Sequence, residues 1–102
     1  MTKEHPLQQR ILLELGNKPG LRVWRNNTGA LIDKRNHLVK FGLQGSADIL
    51  GIQAPTGRFI AIEVKSPDGK QTEQQQRFQR MIEAHGGIYI LARSLDDIKL
   101  LE

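Results

Sequence analysis

Hydrophobic residues change period along this chain, and each change marks an element. Behind Pro6, which suits the first turn of a helix, Leu7, Ile11, Leu12 and Leu15 recur at helical spacing; they predict an amphipathic helix over residues 5–16, broken by Asn17 to Gly20. Leu21 to Asn26 alternates and is rich in β-formers, so it predicts a strand ending in the turn Asn27-Thr28-Gly29, with a weaker strand over His37 to Phe41. Gly42 and Gly45 bound a loop, after which Asp48 to Gln53 reads as a largely buried strand with a polar residue at its head. Arg58 to Lys65 is the best strand of the chain, and the short turn Ala54 to Gly57 makes it antiparallel to the strand before it.

Ser66 to Lys70, with Pro67 and Gly69, is a loop. Thr72-Glu73-Gln74-Gln75 is a capping box opening a helix to about His85, with Phe78, Met81 and Ile82 as its apolar stripe and Gly86-Gly87 as its stop. Ile88 to Ala92 is a buried strand reached by a helical crossover, hence parallel to the strand of Glu63. Ser94 caps a short last helix with Asp96 and Asp97 in its first turn. Helix, three or four strands, helix, strand, helix is the order of an α/β fold with a mixed central sheet.

Length makes this one domain, residues 1–102, because a second hydrophobic core needs on the order of 50 further residues. Cysteine is absent, which excludes disulfides, thiolate nucleophiles and Cys-based zinc sites and leaves oxygen or imidazole to hold any metal. His5, His37 and His85 show no ligand spacing and read as surface or turn residues. The opening residues Met1 to Pro6 lack the apolar core of a signal peptide, and no apolar run approaches the roughly 20 residues of a membrane span, so the expectation is a cytoplasmic protein, neither secreted nor in a membrane.

Charge sharpens the picture. The net charge is +4, and residues 1–47 alone hold eight basic and three acidic side chains, most densely between Arg22 and Lys40. Such clustering fits contact with an anionic polymer or a solvated strand face. Arg22 and Arg25 lie an odd number apart on one strand, so only one of them, taken as Arg25, faces a site; Lys34, Arg35 and Lys40 are candidates for phosphate contacts or ordinary solvated charges. With five aromatics, base stacking is not the main device, and Trp24 reads as a core anchor.

Chemistry gathers at one strand end. Glu63 and Lys65 share a face of their strand, while Ile62 and Val64 share the other. Asp48, at the head of the neighbouring antiparallel strand, can lie beside Glu63. Two carboxylates there repel each other and raise a pKa, a penalty that a divalent cation removes. Oxygen ligation suits Mg²⁺ or Mn²⁺. Gly45, just ahead of Asp48, either lets a phosphate backbone approach or simply makes a turn.

Gly45-Ser46-Ala47-Asp48 followed by Ile62-Glu63-Val64-Lys65 resembles the PD-(D/E)XK nuclease motif, in particular its virus-type replication-repair nuclease branch, the VRR-NUC domains. Val23-Trp24-Arg25-Asn26-Asn27 with Gly29, then Gln75 with Phe78, then Gly86-Gly87-Ile88-Tyr89 extend the likeness from about Glu4 to the C-terminus. Ala47 stands where the family usually has proline, a position that shapes a turn and binds nothing.

The resemblance implies a restriction-endonuclease-like core, a central mixed sheet flanked by helices in αβββαβ order. It implies that Asp48 and Glu63 bind Mg²⁺ or Mn²⁺ with the Val64 carbonyl as a third ligand and Glu4, on the first helix, as a further partner. Lys65 then positions the attacking water, and Gln75 holds Lys65, the water or the scissile phosphate or serves only as a capping-box residue. The activity implied is a metal-dependent DNA endonuclease, structure-selective on branched DNA such as four-way (Holliday) junctions in repair, acting as a homodimer in a bacterial or phage-infected cell. A non-catalytic DNA-binding module of the same fold and a structural or assembly domain are the rival readings.

Overall fold

A computed structural model describes residues 4–101; Met1 to Lys3 and Glu102, which belong to the expected 1–102 domain, lie outside the described residues. Helix α1 (Glu4–Gly16) buries Ile11 and Leu15, one turn apart, with Leu7 and Leu12 at the margin. Strand β1 (Leu21–Arg25) follows, then β2 (Gly29–Ile32), β3 (Leu38–Phe41), β4 (Ile49–Gln53), β5 (Arg58–Val64), helix α2 (Glu73–Ala84), β6 (Ile88–Ala92) and a 3-10 helix (Leu95–Leu101).

Four strands form the main sheet in the order β1-β4-β5-β6. β4 lies antiparallel to both β1 and β5, and β6 is parallel to β5, so the sheet is mixed as expected. β5 is its centre: every residue from Ile60 to Val64 is buried, because helices cover both of its faces. Ile60, Ile62 and Val64 join Ile11, Leu15, Ile49, Ile98 and Leu101 on one face. Ala61 packs with Ala47, Phe78 and Ile82 on the other, so α2 and α1 sandwich the strand. The capping box at the start of α2 forms as the sequence predicts, with Thr72 Oγ1 accepting from Gln75 N at 3.1 Å and Gln75 Oε1 accepting from Thr72 N at 2.8 Å.

Five strands, not the expected three or four, separate α1 from α2. β2 was not expected: Gly29-Ala30-Leu31-Ile32 lacks alternation, and it becomes a strand only by pairing with β3 in a separate two-stranded sheet. Asp33 ties the connecting turn by accepting from the Arg35 and His37 amides at 2.9 and 2.8 Å. The hairpin leaves Leu31, Ile32, Leu38 and Val39 exposed.

Three further expectations fail. Trp24 is 45% exposed and anchors no core, since α2 lies over β5 and β6 and leaves its side of β1 open. Met81 stands at the rim of the α2 stripe, whereas Phe78 and Ile82 are buried. The last helix is 3-10, and Asp97 supplies its cap by accepting from the Arg93 and Ser94 amides. No helix among the described residues is long and apolar enough to cross a membrane.

Gly51 is where β1 and β4 lie closest: a Cβ there would sit 2.5 Å from the Arg22 carbonyl oxygen and 2.7 Å from Val23 Cγ1. Gly51→Ala is therefore expected to destabilise by about 1–3 kcal/mol, as overpacking against fixed backbone does. Urea unfolding checks this, and a change below about 0.5 kcal/mol, the surface-substitution range, contradicts it.

Candidate active site

The pairing register makes the site. Ile49 faces Ile62 across the β4–β5 ladder, so the residue before β4, Asp48, meets the end of β5, where Glu63 and Val64 lie. Asp48 Oδ2 accepts from the Val64 amide at 2.8 Å, which fixes the carboxylate against the strand. Asp48 and Lys65 each lie just outside the strands that sequence assigned them to. The Lys65 amide nevertheless continues the ladder, donating to the Ala92 carbonyl at 2.9 Å.

Glu63 is 4% exposed, and its two oxygens differ. Oε2 accepts from Gln75 Nε2 at 2.9 Å and lies 3.8 Å from the Lys65 ammonium. Oε1 is buried with no hydrogen-bond partner. Gln75 thus does two jobs with one amide: its oxygen closes the capping box, as the sequence predicts, and its nitrogen reaches Glu63, a partner not among the expected Lys65, water or scissile phosphate.

Electrostatics follow from burial. Desolvation, then the neighbouring Asp48 charge, push the Glu63 carboxyl from its ordinary 4.5 up to about 8, with Lys65 pulling the other way. Desolvation also raises Asp48, opposed first by the Val64 amide; Glu4 adds to the rise and Lys65 and Arg25 temper it. Tyr89 is raised to about 12, mainly by burial, so its hydroxyl stays protonated where it accepts from Gln71 Nε2 at 3.1 Å.

An unpartnered buried carboxylate oxygen, beside a second carboxylate held by one oxygen, is a donor set that fits a hard divalent cation. Glu4 is not drawn into the pair: its Oε2 accepts from the Ser66 amide at 3.4 Å. Among the described residues no group of three His, Cys, Asp or Glu side chains is set to hold a metal.

Of the four basic candidates, Arg25 lies near enough to Asp48 to act on its charge. Lys34, Arg35 and Lys40 are exposed on the β2–β3 hairpin, outside the sheet that carries the carboxylates. Gly45, in the left-handed region with φ +84°, abuts the backbone of Gln74, where a Cβ would lie 2.7 Å from the carbonyl oxygen; this contact closes the loop onto α2.

Sequence reasoning quoted Asn26 without giving it a role. Its Nδ2 donates to Ser46 Oγ at 2.7 Å and the Ala47 carbonyl at 2.9 Å, and its amide donates to the Asp48 carbonyl at 2.8 Å. Asn26 therefore sets the approach to Asp48, doing part of the shaping that proline would do at position 47. A polar residue ending an otherwise β-forming run was the available signal.

A mixed sheet with helices on both faces, whose adjacent strand ends carry a half-buried Asp and a Glu-x-Lys with its glutamate buried against a Gln of α2, is compatible with a nuclease-like fold. The family model of the VRR-NUC domain matches residues 3–96, and the chain belongs to that family. Membership carries a nuclease-type function directed at DNA. No match was found among curated proteins.

The Glu63 shift has a consequence for stability. In the metal-free protein, between pH 4.5 and about 8, folded Glu63 keeps a proton that the unfolded chain has released. Stability therefore falls as pH rises through that window. In EDTA, the Tm of wild type relative to Glu63→Gln is expected to drop between about pH 5 and pH 8.5; a difference that is flat or rises with pH contradicts it.

Proposed function

We propose that this protein is a Mg²⁺- or Mn²⁺-dependent endodeoxyribonuclease that hydrolyses phosphodiester bonds of branched DNA. The observation that carries this reading is the Asp48–Glu63 pair, half-buried and buried respectively, with Glu63 Oε1 unpartnered and Lys65 at 3.8 Å, at adjacent strand ends of a VRR-NUC chain. Asp48 and Glu63, with the Val64 carbonyl, would hold the ion. When bound, Mg²⁺ or Mn²⁺ supplies a Lewis acid for the scissile phosphate and lowers the pKa of the attacking water.

The chain's own groups do the rest. Lys65 orients the nucleophilic water and stabilises the charge that grows on the phosphate. Gln75 occupies one Glu63 oxygen, so that the other is left to the ion. Glu4, held at the Ser66 amide, acts as an outer partner. Arg25 steers a phosphate toward Asp48, and Lys34, Arg35 and Lys40 extend the contact along the DNA backbone.

Branched DNA and a homodimer belong to the same reading. No recognition helix enters a groove in this architecture, so shape and backbone contacts carry selectivity. Two copies, each with one carboxylate pair, would cut opposed strands of a four-way junction. The aliphatic side chains exposed on both faces of the β2–β3 hairpin support such pairing.

Labelled four-way, flap and linear duplex DNAs, incubated with Mg²⁺, Mn²⁺ or EDTA, test the proposal. Wild type is expected to cut the junction only with metal, and Asp48→Ala, Glu63→Ala and Lys65→Ala each to lose about 10²–10⁴-fold. DNA binding without metal-dependent cleavage returns the non-catalytic reading, and equal cutting of linear duplex removes the branched preference. Independently, Mg²⁺ at about 100 times its Kd is expected to stabilise wild type by about 2.7 kcal/mol and Asp48→Ala far less.

A further inference from the structure

Ser66-Pro67-Asp68-Gly69-Lys70 follows Lys65 with no regular structure and a composition suited to a turn. Left to itself, such a turn would let Lys65 wander. It is instead fastened by Arg93 from the end of β6, beside the weaker contact of the Glu4 carboxylate with the Ser66 amide. Arg93 Nη1 donates to the Gly69 carbonyl at 2.6 Å and the Ser66 carbonyl at 2.8 Å, with the Pro67 carbonyl at 3.3 Å. The arginine is itself fixed: it is half-buried, and its backbone amide donates to Asp97 Oδ2 at 2.7 Å.

The turn closes on Lys65. Gly69 N donates to the Ser66 carbonyl at 3.0 Å, which brings the glycine over the lysine stem. A Cβ on Gly69 would lie 3.1 Å from Ser66 Oγ and 3.4 Å from Lys65 Cδ. Ala92 and Arg93 thus grip both sides of Lys65: the Ala92 carbonyl takes its amide, and the Arg93 guanidinium takes the carbonyls that follow it. The Lys65 side chain is only 13% exposed. The two N–H bonds of Nη1 serve the short Gly69 and Ser66 contacts, with the Pro67 carbonyl sharing one, and the guanidinium reaches them from a stem one bond longer than a lysine's.

We propose that Arg93 is a positioning residue for Lys65: by gathering the Ser66, Pro67 and Gly69 carbonyls on one guanidinium nitrogen, it holds the turn against the Lys65 stem and keeps the ammonium beside Glu63. The role of Lys65 in phosphodiester cleavage, on which this rests, is the one proposed above. Arg93 touches no substrate in this scheme.

Two measurements need no catalysis. Amide exchange across residues 66–70 is expected to speed up about tenfold or more in Arg93→Ala, and Lys65 acylation by an amine-reactive ester, read by mass spectrometry, to speed up with it. Arg93→Lys should recover neither fully. In cleavage of junction DNA, Arg93→Ala should lower kcat about 10- to 100-fold with KM little changed, because a displaced group costs rate rather than binding. Arg10→Ala, which removes a cation lining the same cleft, should leave both exchange and acylation unchanged.

Unchanged exchange and acylation in Arg93→Ala overturn the proposal, as does a loss confined to KM and matched by Arg10→Ala. An inactive wild type would instead overturn the nuclease reading, and exchange and acylation would still decide the clamp.

Discussion

Two carboxylates share one desolvated corner of this protein, and the structure around them serves to tolerate that arrangement. Asp48 and Glu63 come together because the β4–β5 register leaves no alternative once Ile49 faces Ile62. Their repulsion, added to burial, carries Glu63 to about 8. Each neighbour offsets part of this. The Val64 amide holds Asp48, Gln75 occupies one oxygen of Glu63, and Lys65 brings an ammonium on a side chain mostly withdrawn from water. The remaining oxygen, buried and unpartnered, is the unbalanced end of the account and the natural place for a cation.

That corner is assembled from segments of opposite character. β5 is rigid because helices seal both its faces. The flanking segments, Asn27 to Asp48 and Ser66 to Lys70, lie largely outside the main sheet and are held to it by single polar side chains. Asn26 does this for the approach to Asp48, and Arg93 for the departure from Lys65. Gly45 adds a third fastening by letting its loop touch the α2 backbone. A rigid strand with pinned loops is the arrangement that keeps reacting groups within the small tolerances catalysis needs.

Most of the framework was legible beforehand for physical reasons. The helical spacing from Leu7 to Leu15, the continuous apolar run at Ile60 to Val64 and the Thr72 capping box are local patterns, and each led to the right element. The site pair was legible because a short turn and a period of two together place Asp48 near Glu63. Trp24 misled because an aromatic in a strand shows that one face is apolar, not whether a helix covers it; α2 happens to lie over β5 and β6. β2 was missed because its partner, not its own pattern, makes it a strand.

By itself, then, the sequence determined most of the elements, the antiparallel pairing of β4 with β5 and the parallel pairing of β5 with β6, and the nearness of Asp48 to Glu63, since all of these follow from periodicity and short connections. Tertiary structure alone decided which Glu63 oxygen is left without a partner, that Gln75 serves Glu63, that Glu4 turns to the Ser66 amide, and that Arg93 fastens the turn after Lys65. Those choices depend on distances between segments far apart in the chain, such as the 27 residues between Ser66 and Arg93, which no local pattern encodes.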